Sequence, residues 1–265
     1  IRNKNVRSIL ISFRSILAVL AAAFFFLCSL PMMPVVLLLG KLAPDKADRF
    51  TYAFVCWGLR MVTAMTGCPV TVIGRENIPE GRGVMFAGNH RSIFDIIMGA
   101  PYLPRPFIII AKQELRKIPL LHFWMKQLHC LFLDRKDIRA GAQMVTDAAE
   151  GMKAGKSVLI FPEGTRCHEE GTLLPFKGGS FKIAIRAGAP VIPVAFIGTG
   201  NVLEDHPMKV RKTPVTIVFG EPIETKELSI ADRKLLHQRV EDVVAGMYQQ
   251  YAPDKWKGGE RRENG

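Results

Sequence analysis

From Pro69 onward seven stretches of five to nine mostly apolar residues, rich in Val, Ile and Phe, punctuate the chain. The stretches are "PVTVIG", "GVMFAG", "FIIIA", "CLFLD", "SVLIFP", "PVIPVAFIG" and "PVTIVFG". Each is too short for a helix and too continuously apolar for a strand with one face in water. Helical periodicity fills several intervals, at about Ser92 to Ala100, Leu120 to His129, Ile138 to Lys153 and Gly179 to Ala187. A last amphipathic helix is expected from about Ser229 to Gln250. Short strands alternating with helices define an α/β fold with a mixed, mostly parallel sheet flanked by helices. No internal repeat or structureless linker interrupts it, so residues 69–250 read as one catalytic-sized domain, and 251–265 as a polar, disordered tail.

The first 68 residues differ in kind and read as an N-terminal membrane-anchoring helical segment. They hold eight Lys/Arg and two Asp/Glu, about half of the chain's net +12. The chain begins at Ile1 without a Met, so a few upstream residues are expected to be missing. Ser15 to Gly40 then carries no charge over 26 residues, enough to cross a bilayer. Pro31 and Pro34 are expected to confine the clean helix to Ser15–Leu30. A single span and a kinked hairpin dipping into one leaflet both fit; a cleaved leader fits less well, because "LCSLPMMP" is a poor small-residue cleavage site. Basic residues ahead of the run place the N-terminus on the cytoplasmic side of a cell membrane. A second helix from about Asp45 to Thr66 carries Phe50, Phe54, Trp57 and Met61 on one stripe, suited to the core or to a lipid interface.

Charge clustered beside an apolar run suits an anionic membrane surface. No basic stripe with interleaved aromatics and no nucleic-acid motif is present, so no nucleic-acid partner is expected. Five widely spaced cysteines without a CxxC exclude a disulfide framework or thiolate zinc site. The histidines show no metal-ligand spacing, so no metal is expected.

Two motifs stand at strand ends. In "GNHRSIFD" the strand "VMFAG" stops, and Ser92 offers an N-cap to the next helix. His90 therefore lies in a strand-to-helix turn, where α/β proteins bind ligands. Positions five apart on a helix point to different sides, so His90 and Asp95 meet only if the histidine is off the helix. Asp95 would then fix one ring nitrogen and leave the other as a base. In "SVLIFPEGTR" a buried strand releases Glu163, Gly164, Thr165 and Arg166 on a tight turn. Glu163 and Arg166 could pair with each other. Alternatively Arg166 holds a phosphate, Glu163 holds a hydroxyl or the hydrogen-bond network, and Gly164 lets a ligand approach the backbone. Lys112 and Arg135 end two further strands, so three cations could converge on one anion.

The blocks "NHRSIFD", "KQELRKIPLLHFWMKQLHCLFLDR", "FPEGTR" and "VIPVAFIG" resemble, in order, those of the glycerolipid acyltransferases of the 1-acylglycerol-3-phosphate acyltransferase type. The resemblance spans roughly Val70 to Pro222, with about 70 residues between the two hallmarks. The middle block departs at His122, where the family usually has glycine. The resemblance implies a base, His90, oriented by Asp95, that deprotonates a lysophospholipid hydroxyl for direct attack on an acyl-CoA or acyl carrier protein thioester. It also implies Lys112, Arg135 and Arg166 on the acceptor phosphate, with Glu163, Gly164 and Thr165 completing the acceptor site. Asn89 or a backbone N–H of the turn would serve the oxyanion. Neither cofactor nor metal is implied; the partners are lysophosphatidic acid, the thioester donor and membrane lipids. Other acceptors, glycerol-3-phosphate or lyso-ornithine lipid among them, share the same chemistry.

Rival readings explain less. Ser92 lies too near His90 for nucleophile–base geometry, and no G-x-S-x-G elbow occurs. Cys167 has nothing to stabilise a thiolate. "FKGGSFK" is as well explained by a loop-to-helix joint as by a phosphate cradle. A non-catalytic lipid-binding module leaves both hallmark motifs without a use.

Overall fold

The computed structural model describes residues 12–104, 106–134, 137–206 and 208–256. The basic start, 1–11, and the residues after 256 lie outside it.

All seven apolar stretches are strands: β1 Val70–Ile73, β2 Met85–Gly88, β3 Phe107–Lys112, β4 Leu131–Leu133, β5 Ser157–Ile160, β6 Val191–Ile197 and β7 Val215–Phe219. They form one sheet in the order β1-β7-β6-β2-β5-β3-β4. β6, β2, β5, β3 and β4 run parallel; β7 is antiparallel to β6, and β1 follows β7. The helices are α1 Phe13–Leu42, α2 Pro44–Thr66, α3 Phe94–Gly99, α4 Pro119–Gln127, α5 Ile138–Lys153, α6 Gly178–Ala187 and α7 Ile230–Tyr251.

Successive strand residues point to opposite faces, and both faces are buried. Met85, Ala87, Ile108, Val158 and Ile160 pack with residues of α5, α6 and α7. Phe86, Phe107, Ile109, Leu159 and Phe196 pack with Tyr52 of α2 and with Phe94 and Met98 of α3. β2 therefore leads into a helix on one face while its neighbour β5 leads into α6 on the other. Connections that part in this way open a crevice at the carboxyl ends of the two strands. The turns carrying His90 and Glu163 leave the sheet there.

The N-terminal segment differs from expectation at its prolines. α1 does not stop at Leu30 but continues through Pro31 and Pro34 for 30 residues, about 45 Å at 1.5 Å per residue. Each proline removes one backbone hydrogen bond, and the packing of α1 along α2 outweighs that loss. A Cβ at Gly58 of α2 would run into the Phe25 ring, so glycine there lets the two helices approach closely. Arg14 at the start of α1 donates to the Thr66 carbonyl at the end of α2, at 3.0 Å, where cationic charge suits a helix C-terminus. The pair is thus an antiparallel hairpin that turns at Ala43. Phe13, Val19, Leu20, Phe24, Leu27, Leu30, Leu37 and Leu38 of α1 remain exposed. By length and composition α1 can cross a membrane.

The chain end also differs. Of the expected polar tail, 251–265, Tyr251 ends α7, Ala252 is buried and Trp256 packs on the core. Trp256 stands over Gly198, its ring 3.0 Å from where a Cβ would lie. The apolar faces of Tyr251, Ala252 and Trp256 hold this segment against the domain; only the stretch from 257 lies outside the described residues.

Buried Tyr52 locks the hairpin to the sheet. Its hydroxyl accepts the Phe107 N–H at 3.0 Å and lies against the carbonyls of Phe107 and Leu128. Tyr52→Phe strands these buried groups and is expected to cost about 1–3 kcal/mol in denaturant unfolding of the detergent-solubilised protein. Unchanged stability would mean that α2 rests on the sheet by apolar packing alone.

Candidate active site

The site is built around the turn that follows β2. Asn89 extends the β2–β6 ladder by one side-chain rung: its Nδ2 donates to the Phe196 carbonyl at 2.9 Å and its Oδ1 accepts the Phe196 N–H at 2.8 Å. His90 comes next. Its N–H donates to Glu163 Oε1 at 2.8 Å and its carbonyl accepts the Cys167 N–H at 2.8 Å. Its ring stacks on Phe161 with centroids 4.1 Å apart. Nδ1 lies 2.7 Å from Asp95 Oδ2.

The same Asp95 oxygen accepts the N–H groups of Arg91 at 2.8 Å and Ser92 at 2.9 Å, while Ser92 Oγ accepts the Phe94 N–H at 2.9 Å. This reciprocal cap starts α3 and sets the carboxylate under the imidazole. A neutral ring that donates its Nδ1–H to Asp95 has its lone pair on Nε2; the side chain is 17% exposed. The off-helix histidine demanded by the five-residue spacing is what the structure contains.

The second turn serves the first. Glu163 is buried and accepts from the backbones of His90 and, at 3.3 Å, Leu174. Burial pushes its carboxyl up to about 8, against the lowering effect of those two N–H groups. It therefore braces the histidine turn and, contrary to one sequence-based alternative, does not pair with Arg166. Gly164 has φ +75°, a left-handed conformation that favours glycine; the Lys177 ammonium lies 3.0 Å from where a Cβ would sit. Thr165 is exposed. Arg166 is 42% exposed, and its Nη1 lies 3.5 Å from Glu204 Oε1.

The structure does not gather all of the expected residues. Asn89 is buried with its amide engaged by Phe196, and the N–H groups of His90, Arg91, Ser92 and Ile93 are engaged by Glu163, Asp95 and Glu204. Both oxyanion donors expected from this turn are thus occupied. Lys112 ends β3 and is exposed. It stands on the same sheet edge as His90, two strand spacings or about 10 Å across. Arg135 lies outside the described residues. His122 meets Phe132 edge-on at 5.3 Å. Cys167 is a buried thiol whose pKa is raised by that burial, which disfavours a nucleophilic thiolate. Among the described residues no group of three or more His, Cys, Asp or Glu could hold a metal ion.

Two residues escaped the sequence reading. Arg91 is fully buried. It donates to the Cys167 carbonyl at 2.7 Å, to Glu170 at 3.0 and 3.3 Å, and to both Asp205 oxygens at 3.1 Å. Glu170 also meets Asn201 and Tyr248, and burial raises its carboxyl. Glu204 accepts from Ile93 N–H at 2.9 Å and from Ser92 Oγ. The available signal was a cluster of acids, Glu170, Glu204 and Asp205, with an arginine set directly after the histidine.

The sequence and the fold are similar to those of known proteins. The family model described as "Acyltransferase" matches residues 69–197. A 1-acyl-sn-glycerol-3-phosphate acyltransferase of Chlamydomonas reinhardtii is 30% identical, over 90% of this chain and 74% of its own. Its counterpart in Borreliella burgdorferi is 35% identical over 52% of this chain, which spans 54% of that relative's length. The crystal structure of the 1-acyl-sn-glycerophosphate acyltransferase PlsC from Thermotoga maritima superposes with a TM-score of 0.73 at 29% identity. That match covers 89% of this chain and 97% of the other. The fold and the site define a glycerolipid acyltransferase. The chain belongs to the acyltransferase family that includes the 1-acyl-sn-glycerol-3-phosphate acyltransferases.

The raised Glu163 carboxyl has a measurable consequence. A group whose folded pKa exceeds its unfolded value gives stability that is full at low pH and lost as pH rises toward the folded value. For Glu163 that window runs from the ordinary carboxyl range up to about 8. Thermal melts from pH 5 to 8.5 should show Glu163→Gln gaining on the wild type as pH rises. Parallel curves would remove Glu163 as the source of that slope.

Proposed function

We propose that this protein moves a fatty acyl group from an acyl-CoA or acyl carrier protein thioester to the sn-2 hydroxyl of 1-acylglycerol-3-phosphate. The product is phosphatidic acid, an intermediate of phospholipid biosynthesis. The observation that carries the reading is the His90–Asp95 contact at 2.7 Å, beside the turn that presents Arg166. Nε2 of His90 takes the hydroxyl proton as the hydroxyl oxygen attacks the thioester carbonyl. The tetrahedral intermediate expels the thiolate, which receives the proton from the imidazolium. Asp95 stabilises that cation. No acyl-enzyme forms, and neither metal nor cofactor takes part.

Arg166, half exposed and planar, suits bidentate capture of the acceptor phosphate. Lys112 adds positive charge along the same edge, and the sequence motif gives Arg135 the same role. Gly164 and Thr165 line the approach. Base catalysis of this kind is worth about 10²–10⁴-fold, and holding two substrates together adds on the order of 7–11 kcal/mol.

The enzyme works at the cytoplasmic face of a cell membrane. The start of α1 is fixed to the catalytic domain: Ser12 Oγ donates to the Val210 carbonyl at 3.1 Å, and Ser15 Oγ joins the Met208 carbonyl and the Val210 N–H. α2 returns to that domain. A hairpin with both ends on one domain favours entry from one side, with the exposed apolar flank of α1 in lipid, over a single span.

Acyl transfer from labelled acyl-CoA to 1-acylglycerol-3-phosphate in detergent tests the reading. His90→Ala should lower turnover at least about 10²-fold; turnover that survives it contradicts the base assignment. Arg166→Ala should act mainly on KM for the acceptor, and an effect confined to kcat would take the phosphate away from Arg166.

A further inference from the structure

Glu204 stands where the two halves of the site meet. It lies beyond β6, in the connection to β7, far in sequence from both hallmark turns. One carboxylate reaches both. Its Oε1 accepts the Ile93 N–H at 2.9 Å and lies 3.5 Å from Arg166 Nη1; its Oε2 accepts from Ser92 Oγ. The carboxylate is only 13% exposed. The two classes of contact differ in strength. Those to Ile93 and Ser92 are hydrogen bonds and hold the start of α3, where Asp95 sits. The contact to Arg166 is an ion pair at a distance too long for a good hydrogen bond, on a guanidinium that is 42% exposed.

We propose that Glu204 is a positioning residue that also occupies Arg166 until an acceptor phosphate displaces it. The inference rests on Arg166 being the phosphate-binding cation of the reaction proposed above. Through its hydrogen bonds Glu204 keeps the His90 turn in place. Through its charge it holds Arg166 next to that turn. A phosphate approaching Arg166 meets this second anion and must compete with it. The fork of Arg166 can satisfy a phosphate bidentately and makes no such pair with Glu204, so the exchange favours the substrate. The arrangement biases the site modestly toward acceptors with a strong, divalent anion, because a weaker one gains less from displacing the resident carboxylate.

The isostere Glu204→Gln tests this, because it keeps an oxygen for the Ile93 N–H and a polar group for Ser92 while removing the charge. Half-exposed ion pairs of this kind are worth little, so acceptor KM should fall about two- to five-fold. That gain should vanish in an Arg166→Gln background. Glu204→Ala, which strands Ile93 N–H and Ser92 Oγ, should instead lower kcat. A purely structural role would give no KM decrease and no dependence on Arg166. The same comparison is run without turnover, by calorimetric titration of the full-length protein in detergent with glycerol-3-phosphate. Binding should tighten by the same two- to five-fold in Glu204→Gln and not in the double variant. Equal or weaker binding in Glu204→Gln, a gain that persists without Arg166, or no measurable binding in either protein overturns the proposal. Wild type that fails to acylate 1-acylglycerol-3-phosphate defeats the acceptor assignment instead, and the titration still decides the role of Glu204.

Discussion

One oxygen atom organises this active site. Asp95 Oδ2 receives the His90 ring and the backbone N–H groups of Arg91 and Ser92 at 2.7–2.9 Å. The same contacts therefore start α3, shape the turn after β2 and select the tautomer of His90. A carboxylate fully withdrawn from water is costly unless its charge is compensated; three donors converge on Oδ2, while Oδ1 is buried without a hydrogen-bond partner among the described residues. The coupling explains why the helix begins so soon after the strand. If α3 began later, Asp95 would rise out of the turn, and both the cap and the dyad would be lost together.

A second layer fixes this turn to the rest of the protein. Glu163 holds the His90 N–H, Cys167 holds its carbonyl, and Arg91 runs inward to Glu170 and Asp205. Arg91 is a buried cation with two acids and a carbonyl for partners, so its charge is well compensated. Removing one partner from such a group is far more costly than the net worth of the pair. The result ties three segments far apart in sequence: the β2 turn, the β5 turn and the connection after β6. Placement of His90 and of Arg166 is thereby one problem with one solution.

Much of this was legible in the sequence, for reasons that are local. Strand runs such as "VMFAG" and "SVLIF" announce themselves because strands buried on both faces must be continuously apolar. Helix geometry allowed the His90–Asp95 contact only with the histidine off the helix; that the two meet was what the resemblance of the paired motifs implied. The misreadings came where distant packing decides. Pro31 and Pro34 looked like stops, and only the close approach of α2 at Gly58 shows why α1 continues. Tyr251, Ala252 and Trp256 sit in a polar context, yet the domain surface accepts their apolar parts. Asn89 looked like a free donor beside the base, and the partner that occupies it, Phe196, is 107 positions away. Arg91 and Glu204 escaped for the same reason: an ion-pair network across three connections leaves no periodic trace.

The hairpin and the site share one scaffold. Tyr52 ties α2 to β3, Asp95 roots α3 beneath α2, and the sheet edge with His90 faces the crevice between β2 and β5. All of this presupposes that Asp95 holds Nδ1 and frees Nε2. Nitrogen NMR of protein labelled with ¹⁵N-histidine reports this directly, with the signal of His90 identified among the six histidines by its loss in His90→Gln. In the neutral ring, the account requires a protonated Nδ1 and an unprotonated, pyridine-like Nε2. A neutral His90 carrying its proton on Nε2 would contradict it.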